Sequence, residues 1–300
     1  MQYIVSRLLA LVCLAAPAAP LSAATTVLDA HAIYPEGPVW HDDRLLYVEY
    51  GGSRVKIWDG NAARTFWSGE HCGPSGLIAY RGTHFLVACY DANTLVELDE
   101  QGKTVHTIDK DSAGKPFIGP NDFAADAGGG IYFSASGIYD VKAPISGAIL
   151  YLSADGRVTE VADTIHYANG LTLSKDGKTL LVSEDLAGRI LAFPVNPDRT
   201  LGARTVWARL CDLAPPTAHE DAYNGPDGLK LGPDDNYYIA QNGSGRVLVV
   251  NAAKQLVRTL NVPTPYVTNI TFGAGNAVYI TGVFDPWKPP FAGVVYRWTP

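Results

Sequence analysis

The sequence is poor in several features that mark common classes of protein. It holds one methionine and four cysteines, and its 23 basic residues are outnumbered by 30 acidic ones, for a formal net charge of −7. Nucleic acid and anionic membrane surfaces both require a basic face, so neither is expected as a partner. No apolar run beyond the N-terminal segment is long enough to cross a bilayer, and membrane insertion is not expected.

Signatures of the common catalytic classes are also missing. There is no Gly-x-Ser-x-Gly elbow, no His-Glu-x-x-His and no Cys-x-x-Cys spacing. Gly177-Lys178-Thr179 lacks the upstream glycine of a phosphate-binding loop and is interpreted as a hairpin turn. These absences argue against a serine hydrolase, a zinc peptidase, a nucleotide-binding protein and a thiolate metal site.

The N-terminus has the pattern of a secretory signal peptide. Arg7 precedes an apolar run from Leu8 to Leu21, and Ser22-Ala23-Ala24 supplies a small-residue cleavage site. A membrane anchor is the alternative, but the run is short and contains prolines, and Cys13 lacks the small-residue setting of a lipoprotein site. We predict a signal peptide over residues 1–23, a single domain over 24–300, and export to the periplasm or the medium.

Three cysteines remain after such cleavage, an odd number for an oxidising compartment. One disulfide and one free thiol are expected among Cys72, Cys89 and Cys211. A hairpin joining Gly76–Tyr80 to Phe85–Tyr90 would set Cys89 opposite Gly76, with Cys72 beyond direct reach unless its loop folds back. The pairing stays open at this point.

Strand patterns dominate the chain, and helix patterns are almost absent outside the signal segment. Short β-branched and aromatic runs such as Leu45–Val48, Phe85–Ala88 and Leu180–Val182 are bounded by Gly, Asp, Asn and Pro. The sequence therefore predicts an all-β protein.

A three-residue motif recurs six times, each time before an apolar strand. We call its middle residue the slot, and in every copy the slot carries a side-chain oxygen. The six copies are Pro35-Glu36-Gly37, Pro74-Ser75-Gly76, Pro120-Asn121-Asp122, Ala168-Asn169-Gly170, Pro226-Asp227-Gly228 and Thr268-Asn269-Ile270.

The spacing of the slots, roughly 40 to 60 residues, is that of four-stranded propeller blades. Six periods predict a six-bladed β-propeller. The C-terminal run Gly293–Trp298 matches a third strand, so Thr25 to His31 is expected to add the outer strand of the last blade and close the ring.

Slots in equal phase should converge on one mouth of the central channel. Asn, Asp and Ser after proline are ordinary turn residues, which is the alternative explanation for any single copy. Glu36, however, has no special turn chemistry, and two carboxylates with several amides form a set of oxygens suited to a hard divalent cation such as Ca²⁺. A metal site in the channel is predicted, with Zn²⁺, Mn²⁺ and Mg²⁺ as other candidates.

Four of these motifs, in this order, resemble the family of the senescence marker protein (regucalcin), gluconolactonase and luciferin-regenerating enzyme. They are Pro35-Glu36-Gly37-Pro38-Val39-Trp40, Pro120-Asn121-Asp122, Ala168-Asn169-Gly170-Leu171 and Pro226-Asp227-Gly228-Leu229.

The resemblance implies a six-bladed propeller with one divalent metal in its channel and hydrolysis of sugar lactones or related esters. It assigns Glu36, Asn169 and Asp227 as metal ligands and Asn121 as a ligand or substrate contact. Regucalcin-type members carry a sugar-contacting arginine two residues before the position of Asn121. Here that place is Gly119, which weakens the expectation of a sugar substrate.

Two carboxylates compete for the role of general base. Asp227 is implied by the resemblance, and Asp122 is the rival, with a turn carboxylate as its alternative explanation. Asp227 could act as base only if it bound the metal through one oxygen.

Residues near the slots are candidates for substrate contact. Ser75 and Asn269 are in phase but outside the motifs of the family. His71, His166 and His219 precede slots, where a solvated or packing role is favoured over the alternative of substrate contact or proton transfer. Long loops are expected to wall the mouth at 110–117, 210–223 and Phe284–Trp287.

The sequence supports three hypotheses of function. The first is an exported, monomeric propeller that hydrolyses a small lactone with a divalent metal. The second is a non-catalytic propeller that binds a ligand or protein partner and keeps the metal for structure, and the third is an organophosphate or other ester hydrolase.

Overall fold

The computed structural model describes residues 24–216 and 223–299, which form six four-stranded antiparallel sheets arranged as a ring. The all-β, six-bladed propeller is confirmed. The predicted signal peptide at 1–23, His219 and Pro300 lie outside the described residues.

The strands follow one another in chain order, with one short helix. The first two blades and the closing strand comprise β1 (Ala24–Ile33), β2 (Pro35–His41), β3 (Arg44–Glu49), β4 (Arg54–Trp58), β5 (Ala63–Ser68), β6 (Pro74–Tyr80), β7 (His84–Cys89), β8 (Thr94–Leu98) and β9 (Thr104–Ile108). The third and fourth comprise β10 (Pro120–Ala125), β11 (Ile131–Ala135), β12 (Gly147–Leu152), β13 (Val158–Ile165), β14 (Ala168–Leu173), β15 (Thr179–Glu184), β16 (Arg189–Pro194) and β17 (Thr205–Arg209). The remainder are α1 (Leu210–Leu213), β18 (Pro226–Leu231), β19 (Tyr237–Gln241), β20 (Arg246–Val250), β21 (Leu256–Asn261), β22 (Tyr266–Phe272), β23 (Val278–Val283) and β24 (Ala292–Thr299).

Aspartate-led turns separate the strands of each blade. In the turn between β14 and β15, the Asp176 carboxylate accepts hydrogen bonds from the Ser174 hydroxyl (2.7 Å) and the Lys178 backbone (3.1 Å). Asp99 does the same for the backbone of Gln101 and Lys103 between β8 and β9. Such carboxylates mimic a backbone turn, which explains why Asp and Gly bound the apolar runs.

Every slot motif lies in the innermost strand of its blade. These strands, β2, β6, β10, β14, β18 and β22, neighbour one another around the channel, and β22 meets β2. A Cβ added at Gly76 would lie 1.9 Å from the carbonyl oxygen of Asn121, and one at Gly170 would lie 2.3 Å from the backbone nitrogen of Leu229. The glycine that follows the slot is therefore required by close approach between neighbouring blades.

The ring closes by pairing the first strand with the last. β1 pairs antiparallel with β24, from Ala24 opposite Thr299 to Ile33 opposite Ala292, so the sixth blade reads β22-β23-β24-β1 from inside to outside. The predicted closing strand and the predicted third strand are both confirmed.

The cysteine geometry corrects one expectation. Cys72 and Cys89 form a disulfide with a Cα–Cα distance of 4.6 Å, and Cys211 is a free, exposed thiol. Tyr80 pairs with His84 instead of Phe85, and a register shift between Pro74 and Gly76 adds a second position, so Cys89 lies opposite Pro74 rather than Gly76. Left-handed backbone at His71 and Gly73 then folds the preceding loop back, which brings Cys72 within reach.

Six apolar layers, mostly between neighbouring blades, form the core. Helical structure in residues 24–216 and 223–299 is limited to α1 and two single turns of 3-10 helix. Within those ranges no helix has the length and apolar character needed to traverse a bilayer.

Candidate functional site

One mouth of the channel opens into a cavity of about 200 Å³. Five of the six slots line it: Glu36, Ser75, Asn121, Asn169 and Asp227. Each comes from a different blade, as the equal phase of the motif predicts, and each is buried. The turn explanation therefore does not account for the convergence of these side chains on one space.

Three carboxyl groups at the buried end of the cavity share an unfavourable environment. Burial, reinforced by the charge of Asp227, raises the pKa of Glu36 well above its ordinary value. The same two causes raise the pKa of Asp185. Burial raises the pKa of Asp227 to about 8, although hydrogen bonds from Asn242 and Asn169 work in the opposite direction. Ionising all three groups together requires a compensating positive charge.

Hydrogen bonds orient the two central slots. Asn169 donates from Nδ2 to Oδ2 of Asp185 (3.2 Å), and Asn242 donates from Nδ2 to Oδ2 of Asp227 (3.0 Å). The other oxygens of these groups, Oδ1 of Asn169, Asp185 and Asp227, are buried without a hydrogen-bond partner among the described residues. Buried polar atoms without partners are uncommon and point to an absent water or ion.

We call Glu36, Asn121, Asn169, Asp185 and Asp227 the oxygen floor. In residues 24–216 and 223–299 no group of three or more His, Cys, Asp or Glu side chains forms a recognisable metal cluster. Two of the floor residues are amides, which supply neutral oxygens of the kind that Ca²⁺ accepts beside carboxylates. The fit of the floor to a hard cation therefore rests on its unpartnered oxygens and its donor chemistry.

The rival carboxylate, Asp122, is already neutralised by a lysine. Lys230 donates from Nζ to both oxygens of Asp122 at 2.9 and 2.8 Å, and it also contacts the carbonyl of Phe123. Asp122 is 1% exposed and is not part of the cavity lining. Asn269 lies beside it, with its amide nitrogen 3.4 Å from Asp122 Oδ2, and likewise does not line the cavity.

Three other candidate contact residues differ in position. The Ser75 hydroxyl lines the cavity but donates to the carbonyl of Pro120 (2.9 Å), so it ties β6 to β10. The His71 side chain is 89% exposed beside Glu70 and does not line the cavity, because the loop that forms the disulfide carries it outward. His166 donates its backbone N–H to Glu184 and is not in the lining either.

Aromatic side chains surround the rest of the cavity in a continuous chain of ring contacts. Centroid distances run from 4.6 Å for Tyr139–Tyr167 to 6.4 Å for Tyr90–Tyr167. We call this set the aromatic belt; its members are Tyr34, Tyr50, Tyr90, Tyr139, Tyr167, Tyr223 and Trp287.

Of the three loops expected to wall the mouth, two contribute residues to the cavity lining. Tyr223 and Asn224 line the cavity at the end of the long loop before β18, and Pro286 and Trp287 line it from the loop after β23. In the third loop, 110–117, Phe117 instead packs in the apolar layer between the second and third blades.

The residues missed from the sequence share one structural signal. The first residue of a slot motif pairs with the last residue of the next strand, as in Pro35 with Glu49 and Ala168 with Glu184. The residue after that partner is therefore in phase at the same mouth. Four such residues line the cavity: Tyr50, Tyr90, Asp185 and Asn242.

The fold and the cavity define a six-bladed propeller with an oxygen-lined, aromatic-walled pocket at one end of its axis. Residues 34–283 match the SMP-30/gluconolactonase/LRE-like region, so the chain belongs to that family.

The comparisons with individual proteins are more distant. A lactonase drp35 of Staphylococcus aureus is 32% identical over 169 residues, which cover 55% of this chain and 48% of the relative, so the chain spans about half the length of that relative. Regucalcin of Xenopus laevis is 24% identical over 282 residues, 88% of this chain and 90% of the relative. The structure of a gluconolactonase from Xanthomonas campestris superposes with a TM-score of 0.76 at 21% identity, covering 92% of this chain and 89% of that one, and shows the shared fold.

Proposed function

We propose that this protein is an exported hydrolase that opens a lactone with the help of one divalent cation, most simply Ca²⁺. The observation that carries the proposal is the oxygen floor, where three buried oxygens lack partners among the described residues in a cavity of about 200 Å³. The similar proteins named lactonase and gluconolactonase support the reaction class. The relative named regucalcin, and a similar solved structure described as a calcium-binding protein, support the cation.

Glu36, Asn169 and Asp227 would hold the cation, and Asn121 would complete the set or contact the substrate. When bound, the cation would supply Lewis-acid polarisation of the lactone carbonyl and stabilise the oxyanion. Asp185 accepts a hydrogen bond from the amide nitrogen of Asn169. The side-chain oxygen of Asn169 accepts no hydrogen bond among the described residues, so it is available to a cation.

Asp227 is the favoured general base. Asn242 occupies its Oδ2 and leaves Oδ1 unpartnered, an arrangement that favours binding through one oxygen. Asp122 is disfavoured, because Lys230 engages both of its oxygens.

Export is supported by the disulfide. Bridges such as Cys72–Cys89 persist in oxidising compartments, in agreement with the signal peptide predicted for residues 1–23.

The test is lactone hydrolysis by the purified protein before and after chelation, beside Asp227→Asn. Chelation should abolish turnover, Ca²⁺ should restore it, and Asp227→Asn should lower kcat/KM by about 10²- to 10⁴-fold. Asp235→Asn is the matched control, since Asp235 has left-handed backbone that Asn also adopts and lies in an exposed ion pair with Lys175. Full activity in excess chelator, or no hydrolysis of any lactone with cation restored, would refute the proposal.

A further inference from the structure

The aromatic belt sets the chemistry of the substrate beyond the reacting carbonyl. We infer that the preferred lactone carries a bulky, uncharged, apolar or aromatic substituent rather than a set of hydroxyl groups. This inference rests on the proposed function, because it assigns the substrate class of the same cavity.

The first observation is the charge of the lining. Among the described residues, no lysine, arginine or histidine lines the cavity, and its charged groups are the carboxylates of Glu36, Asp185 and Asp227. These lie in the oxygen floor and are accounted for by the cation. The walls formed by residues 24–216 and 223–299 therefore offer no cationic partner for an acidic substituent.

The second observation is that three tyrosine hydroxyls in the belt donate hydrogen bonds to acceptors of the protein. Tyr50 donates to Asp91 (3.0 Å), Tyr90 to the carbonyl of Gly137 (3.2 Å), and Tyr139 to the carbonyl of Tyr223 (2.7 Å). A polyhydroxylated substrate needs partners for each hydroxyl, and hydroxyls buried without partners cost binding energy. A polyhydroxylated substrate would meet the faces and edges of aromatic rings in the belt, where its hydroxyl groups need hydrogen-bond donors and acceptors.

The third observation is that exposed apolar side chains stand next to lining residues in the sequence, on the same loops. Ile118 is 44% exposed and Ile138 54%, and Phe284 and Trp287 on the loop after β23 are 48% and 59% exposed. The loops of Ile118 and Ile138 are joined by a backbone hydrogen bond from Gly137 to Ile118 (3.0 Å), and Tyr90 bonds to the same Gly137. Exposed apolar side chains on the loops that carry lining residues suit a substituent longer than the lactone ring itself.

The fourth observation fixes the position of Tyr90. A Cβ added at Gly119 would lie 2.6 Å from the Tyr90 ring, and Gly119 has a φ of +62°. The aromatic ring thus fills the space that any longer side chain at position 119 would need. The wall of the cavity is aromatic at this point because residue 119 is glycine.

The inference is tested with three six-membered lactones that differ only in their substituents: δ-valerolactone, δ-decalactone with its pentyl chain, and glucono-δ-lactone. We expect kcat/KM for δ-decalactone to exceed that for δ-valerolactone by at least about 10-fold, since single methylenes in apolar pockets give factors of about 10 to 200. Glucono-δ-lactone should be the poorest of the three.

Trp287→Ala should reduce the ratio of δ-decalactone to δ-valerolactone, mainly through KM, and Trp287→Phe should restore part of it. Trp287 is largely exposed, so its loss should leave folding intact. Val257→Ala is the matched control, because Val257 is an exposed apolar residue on β21, outside the cavity lining, and the ratio should not change.

A binding measurement separates this inference from the proposed function. Calorimetry with the pentyl-substituted and unsubstituted six-membered lactams reports the preference without turnover. Hydrolysis of all three lactones at similar kcat/KM, or fastest hydrolysis of glucono-δ-lactone, would overturn the inference while lactone hydrolysis stands. If no lactone is hydrolysed, the proposed function fails, and equal binding of the two lactams would overturn this inference as well.

Discussion

The two ends of the cavity are built from different parts of the same blades. The oxygen floor comes mainly from the starts of innermost strands, where close packing between blades holds each slot in place. The aromatic belt comes from residues beside those starts and from loops, where aromatic side chains contact one another. The contrast separates the proposed catalyst from the determinant of substrate choice, and variants of the two regions should behave differently.

The largest expected effect is a loss of stability in the cation-free protein as pH rises from about 4 to about 8. Burial raises the pKa of Asp227 to about 8 and also raises those of Glu36 and Asp185. The folded chain keeps protons that the unfolded chain releases in this window, so stability is full below the ordinary pKa and is lost as pH rises through the folded value. The loss should be on the order of several kcal/mol, measured by unfolding in EDTA.

Saturating Ca²⁺ is the control for this pH effect. A bound cation holds the carboxylates as anions, so the decline should disappear, and Asp227→Asn should make it shallower in EDTA. A cation-free profile that stays flat or rises between pH 4 and 8 would contradict the electrostatics assigned to the floor.

The second largest effect is expected for Glu36→Gln, which should lower cation affinity by at least about 100-fold, measured by calorimetry. Loss of a proposed ligand should weaken binding more than loss of a residue that only orients a ligand. At saturating cation, the relative rates on different lactones should stay the same. Glu70→Gln, an exposed neighbour of the disulfide loop, is the control. Wild-type affinity in Glu36→Gln would remove Glu36 from the proposed site.

Asp185 offers a smaller and more selective test of the floor. Asp185→Ala removes the acceptor for the Asn169 amide and should weaken cation binding by about 10-fold. Asp185→Asn keeps an oxygen in the same place and should retain most of that affinity. Equal losses in the two variants would argue that the charge of Asp185, rather than its hold on Asn169, is what matters.

The smallest expected effect belongs to the belt. Gly119→Ala should displace the Tyr90 ring and cost about 1–2 kcal/mol of stability, because the new methyl group is crowded and the backbone is left-handed. It should change the ratio of lactone rates by a few-fold while leaving cation affinity unaltered. Gly177→Ala also carries left-handed strain but meets no neighbouring atom, so it separates backbone strain from the movement of Tyr90. A change in cation affinity with Gly119→Ala would break the separation of floor from belt.

The fold and most of the floor could be predicted from the sequence because their signal is periodic. Six slots in equal phase imply six blades, and Glu36, Asn121, Asn169 and Asp227 do line one cavity. Asn269 shares the phase but does not line the cavity; its side chain lies between Glu36 and Asp122, with its amide nitrogen 3.4 Å from Asp122 Oδ2. The equal spacing of the slot motifs carries no information on which side chains form hydrogen bonds between blades.

The belt could not be predicted in the same way, because isolated tyrosines at strand ends are indistinguishable from packing residues. Tyr50 and Tyr90 become functional candidates only when the register places them opposite the slot motifs. The disulfide escaped prediction for a related reason. The pairing of Tyr80 with His84 and a register shift beside Pro74 together moved the partner of Cys89 by two residues, from Gly76 to Pro74. Two left-handed residues reversed the loop that carries Cys72.

The seam between β1 and β24 has a consequence for how the cavity forms during folding. This pairing joins Ala24 to Thr299, so it is among the least local contacts in the fold and is expected to form late. Glu36 in the first blade and Asp227 in the fifth reach the same cavity only around the completed circle. Cation binding would then stabilise the closed ring relative to every open intermediate. The free energy of unfolding measured with cation present would contain both the stability of the β1–β24 pairing and the cation affinity of the floor.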